Sequence, residues 1–175
     1  MPQPWERSRD PRVSAATGRA PQRGWQRPEL VVWGAHGGAG TSTLAAWLSP
    51  AWDMGAMRPQ PSPPYPEKVA RGRALLVACR GSASAARLAT VAVAAVHQQG
   101  GQVAVLVVVS DGWPEPAAAR SRFRLLEPQV MAVVRVPFVP PLRLADDPAA
   151  VPLPRRVRRA LEQIRLVTGP RTPTS

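Results

Sequence analysis

The sequence predicts a small doubly wound α/β domain, with a parallel sheet of about four to five strands and a disordered N-terminal tail. Three observations predict it. Short apolar runs alternate with segments of helical period; the runs are apolar along their whole length, as strands covered on both faces are; and the first run ends in a glycine-rich turn that leads directly into a helix. With 175 residues the chain has room for one such domain plus irregular ends.

Residues 1–28 contain few bulky apolar groups, Trp5, Val13 and Trp25, too few to offset the entropy of ordering the segment. They read as a disordered basic tail, and residues 29–168 as the domain. Glu29 to Gly34 is a buried-type strand, and Thr41 to Leu48 places Leu44, Trp47 and Leu48 at helical spacing before Ser49-Pro50 stops the helix. Residues 50–72 carry the run Pro-Gln-Pro-Ser-Pro-Pro-Tyr-Pro and read as a proline-rich loop inside the domain, because each proline removes a donor and fixes its own φ.

Ala74 to Cys79 is a second strand. Ser82 to Gln98 is a long helix rich in alanine and valine, ended by Gly100-Gly101, and Gln102 to Ser110 is a third strand. Asp111 opens a helix running to about Leu126, Val130 to Val136 is a fourth strand, and residues 169–175 form a second disordered tail. Between them, Pro154 to Val167 is an amphipathic helix that aligns Val157, Leu161 and Ile164 on one stripe and sets Arg155, Arg156, Arg158 and Arg159 mostly elsewhere.

The 23 basic residues against 11 acidic ones give a net charge of +12, and Lys68 is the only lysine. Such a field draws polyanions at low salt, so non-specific DNA is one expected partner, through the arginine helix, and an acidic protein is another. Arginine enrichment with lysine scarcity is also what GC-rich coding gives. With Cys79 the lone cysteine and only His36 and His97 as histidines, no zinc site or disulfide framework is present; the chain has no secretory h-region and no apolar run near ~20 residues. A cytoplasmic protein without a membrane span is expected.

Chemistry concentrates in Gly34 to Thr43. A phosphate-binding loop needs a strand, a glycine-rich turn whose N–H groups converge, and a helix whose N-terminus adds its dipole. Gly37, Gly38, Ala39, Gly40, Thr41, Ser42 and Thr43 stand in that context and are the candidate cofactor-binding residues, with Ser42 the candidate hydroxyl for a phosphate-bound Mg²⁺. The position after Gly40, where such a loop carries its lysine, is Thr41. His36 and Asp111 read as loop and turn residues, Trp33 and Trp47 as core, and Cys79 as a buried hydrophobe.

The stretch Ala35-His36-Gly37-Gly38-Ala39-Gly40-Thr41-Ser42-Thr43 resembles the deviant Walker loop of the ParA and MinD type of P-loop ATPases. By that resemblance His36 stands at the family's signature lysine, Thr41 at its phosphate lysine and Ser42 at its magnesium hydroxyl. Leu75 to Leu88 is similar to its late strand and helix, Val103 to Asp111 and Val133 to Leu144 are similar to its last core strands, and the final proline-flanked segment is similar to the loop bordering the nucleotide base. The family's two strands after the first helix have no counterpart in the proline-rich segment, where Asp53 is the sole acid before Glu67.

The resemblance implies a P-loop NTPase-like fold, a ligand such as ATP or ADP with Mg²⁺, and a homodimer. The loss of both lysines implies a regulatory or binding module that does not hydrolyse, with no catalytic residue assigned. Two alternatives stand beside it: a basic nucleic-acid or protein-interaction module using the arginine helix, and an ATPase completed in trans by another subunit.

Overall fold

The computed structural model describes residues 30–57 and 72–169. The readings of residues 1–28 and 170–175 as tails, and of 58–71 as part of the proline-rich loop, lie outside the described residues. Among the described residues five strands form one wholly parallel sheet: β1 (Leu30–Gly34), β2 (Ala51–Ala56), β3 (Ala74–Arg80), β4 (Val105–Val109) and β5 (Ala132–Val136), in the order β2-β1-β3-β4-β5. The α-helices of the described residues are α1 (Thr41–Trp47), α2 (Ala83–Gln98), α3 (Ala117–Leu126) and α4 (Arg155–Thr168).

Among the described residues two helices cover each face. Leu44 of α1, Leu48 just after it, and Val157, Leu161 and Ile164 of α4 pack with Val32, Leu76, Val105 and Val107 on one side. Ala86, Ala89, Val93 and Phe123 of α2 and α3 pack with Val31, Val77, Leu106 and Val108 on the other. Burial on both faces is why these strands read as unbroken apolar runs.

Most elements lie where the sequence sets them. Ser82 caps α2 by accepting the Ala85 N–H at 3.2 Å, and the Gly101 N–H reaches the Val96 carbonyl at 2.9 Å to close its far end.

Two expectations are corrected. Residues 51–56, near the start of the expected proline-rich loop, form β2, which pairs with β1 from Leu30↔Ala51 onward. Ala51 to Ala56 contains no proline, so its donors are intact, and the strand is a half-exposed edge that composition alone does not mark. The helix expected to open at Asp111 starts at Ala117, because the residues before Pro114 and Pro116 are held out of the α region.

The sequence of connections reverses between β1 and β3, and in an open α/β sheet ligands bind in the crevice outside the carboxyl ends of the strands at that point. The glycine loop follows β1 there.

Candidate functional site

Each strand end contributes something to the carboxyl edge. From β1 comes the glycine loop, with Gly38 at φ 74° and Gly40 at φ 89°, left-handed conformations that a side chain would strain. Gly40 also caps α1, its carbonyl accepting the Leu44 N–H at 2.9 Å. Gly37 and Gly38 are exposed and Ala39 is buried.

The loop is pinned to β3 by two side chains. His36 accepts the Arg80 N–H through Nε2 at 3.1 Å, and its Nδ1 lies 2.8 Å from the Gly37 carbonyl. That arrangement is satisfied by a neutral ring protonated at Nδ1, so His36 is a strut of the loop and not a replacement cation. Arg80, the last residue of β3, donates through Nε to the Gly38 carbonyl at 2.8 Å and through a terminal nitrogen to the Ser110 carbonyl at 3.4 Å. A guanidinium therefore lies beside the glycine loop, held by neutral carbonyls.

The Thr41 methyl packs against Gly34, where an added Cβ would lie 2.9 Å from it, so Thr41 packs against the base of the loop. Ser42 donates to Asp53 Oδ2 at 2.5 Å, and Asp53 Oδ1 accepts the Gly55 N–H at 2.8 Å. Asp53 lies on β2, which is how the acid of the supposed loop reaches the glycine-loop hydroxyl. Thr43 lines the neighbouring cleft.

That cleft has a volume of about 290 Å³ and lies between α1, the ends of β3, β4 and β5, and the segment after β5. Leu44, Trp47, Val109, Val136 and Val139 supply apolar surface; Thr43, Arg80, Ser110, Asp111 and Arg143 supply polar groups. Asp111 forms the expected turn, Oδ1 accepting the Trp113 N–H at 3.1 Å. Trp47 is half-buried against the core as expected, and its Nε1 donates to the Pro148 carbonyl at 2.9 Å.

The other candidates lie apart from the cleft. Arg155, Arg156, Arg158 and Arg159 are exposed on the first turns of α4 and make no ion pair among the described residues, where Arg135 pairs with Glu115 at 3.0 Å. Arg165, late in α4, donates to the Trp47 carbonyl at the end of α1 at 2.9 Å. The two helices thus meet at their C-terminal ends, and α4 is buried against the sheet from Val157 to Ile164. Its arginine-bearing start is therefore directed toward the same carboxyl edge as the glycine loop.

Cys79 is fully buried. Burial pushes its thiol up to about 12 from an ordinary 9.0, with Glu115 adding to the shift and Arg135 opposing it. Hydrogen bonding to Glu115 raises the Arg135 guanidinium further above its ordinary value.

Among the described residues no three of His, Cys, Asp and Glu gather as metal ligands, and no helix is long and apolar enough to cross a membrane. No family model, curated protein or solved structure matches the chain.

Sequence reading missed Arg80 and Arg143 as lining of one cleft, and the Ser42–Asp53 contact beside the glycine loop. Arg80 alone left a signal, a charge directly after an apolar strand at the ligand-binding edge.

Proposed function

We propose that this chain is a P-loop-like nucleotide-binding module that holds ATP or ADP without hydrolysing it and acts through a partner. The observation that carries this reading is the Arg80 guanidinium on the Gly38 carbonyl, a cation beside a glycine loop that has lost its lysines. Arginine binds phosphate bidentately, so a side chain from β3 takes the role that the loop's own sequence lacks. The N–H groups of Gly37 to Thr43 supply the remaining donors.

Mg²⁺ fits the donor set in a limited way. One hydroxyl, Ser42, and one carboxylate, Asp53, are in contact, and a magnesium ion held chiefly by the ligand's phosphates needs little more from the protein. Bound there, it would neutralise phosphate charge.

The test is thermal unfolding with ATP, ADP and Mg²⁺. A ligand at 100 times its dissociation constant stabilises the native state by about 2.7 kcal/mol. The shift is expected to vanish in Gly40→Asp and to weaken strongly in Arg80→Gln, without phosphate release at any protein concentration. A flat response at millimolar nucleotide refutes binding, and turnover that rises with protein concentration favours an ATPase completed in trans.

A second reading rests on α4. Four arginines that make no ion pair among the described residues occupy its first two turns, and no acid accompanies them in the first turn, although cations oppose the helix dipole there. A polyanion such as DNA would relieve that repulsion.

A further inference from the structure

The far end of the cleft is built differently from the glycine-loop end. Phe138 directly follows Pro137 after β5, and its ring lies against Gly112, where an added Cβ would meet the ring at 3.1 Å. Gly112 has φ 98°, so both its conformation and the ring exclude a side chain. On the ring lies the Arg143 guanidinium, 4.9 Å from the centroid. Phe138 thus has contacts from Gly112 and Arg143 and serves as a support for a cation, not as a free stacking platform for a base.

Arg143 lines the cleft and makes no ion pair among the described residues; Asp147, four positions on, accepts the N–H of Ala149 instead. Its N–H groups are available to an anion.

Strand order fixes the spacing. Along the carboxyl edge come the glycine loop, then Arg80 on β3, then Ser110 and Asp111 after β4, then Phe138 and Arg143 after β5. Neighbouring strands lie about 4.8 Å apart, so the ends of β3 and β5, from which Arg80 and the segment bearing Phe138 and Arg143 depart, are about 10 Å apart. Asp111 stands between them. Its Oδ1 accepts the Trp113 N–H, and no described residue donates to its Oδ2. A carboxylate in the middle repels phosphate and accepts hydroxyls.

We infer that the cleft takes a nucleoside carrying phosphates at both ends of its ribose, one against the glycine loop and Arg80 and the other on Arg143, with Asp111 facing the sugar between them. This rests on the nucleotide-binding reading and deepens it by naming the ligand class. A cleft of about 290 Å³ suits a single nucleoside, with its phosphates toward the open ends.

The experiment compares adenosine 3′,5′-bisphosphate with ADP, its isomer, and with ATP, which carries at least as much charge but all at one end. Dissociation constants are measured by calorimetry on the full chain and on Arg143→Ala, an exposed position whose change leaves the core untouched. The bisphosphate is expected to bind about tenfold more tightly than either comparison nucleotide, the size of one charge-assisted hydrogen bond. Arg143→Ala is expected to remove that advantage, weakening the bisphosphate about tenfold more than it weakens ADP.

Equal affinity for the three ligands in the wild-type chain overturns the inference while leaving nucleotide binding standing. So does an equal weakening for all three in Arg143→Ala, which would assign Arg143 to the base. No binding of any of them overturns both readings.

Discussion

His36 uses both ring nitrogens inside the glycine loop, one toward Gly37 and one toward the backbone of Arg80, and so fixes the loop to the end of β3. Its neighbour in the fold, Cys79, lies one residue before that junction, fully buried. Because the thiol is raised from 9.0 to about 12, it stays protonated in the folded chain while the unfolded chain ionises. The unfolded state then binds fewer protons, so stability is unaffected below pH 9 and declines between pH 9 and about 12, by about 1.4 kcal/mol per unit across that window. Urea unfolding of the wild type should show this added decline, and Cys79→Ala should lack it.

Among the elements, α4 separates packing from charge most sharply. Leu161 is 3% exposed and belongs to the core beside β4 and β5, whereas Leu166 on the same helix is 85% exposed. Leu161→Ala is expected to lower unfolding free energy by about 2–5 kcal/mol, and Leu166→Ala by less than about 0.5 kcal/mol. Denaturant midpoints of the two variants check this. The periodicity of α4 was legible in sequence because a helix that buries one stripe must repeat its apolar residues at that spacing. Strand β2 was not, since an edge strand buries little and its residues alternate weakly; pairing with β1, and the Ser42–Asp53 contact, hold it.

At the scale of the whole molecule, one group of arginines shares an edge of the sheet. Arg80 and Arg143 line the cleft at the carboxyl edge, and the arginine-bearing start of α4 is directed toward that edge. If the quartet on α4 meets a nucleic-acid backbone, changing Arg155, Arg156, Arg158 and Arg159 to alanine should reduce the slope of log affinity against log salt by roughly 0.9 for each phosphate that is no longer neutralised. Fluorescence anisotropy with duplex DNA across a salt series measures it. An unchanged slope would leave α4 as a solvated face.

Local sequence was enough for the α/β class, the alternation of strands and helices, the glycine turn after β1 and the exposed arginines of α4. Each is a consequence of burial period or turn chemistry, written within a few residues. Folding of the whole chain was needed to show that β2 joins the sheet, that His36 is a strut, and that Arg80 lies on the carbonyl of Gly38, 42 positions earlier in the chain. Those facts depend on which strand ends become neighbours. Sheet order brings together residues that no local pattern relates, and the candidate site is made from such residues.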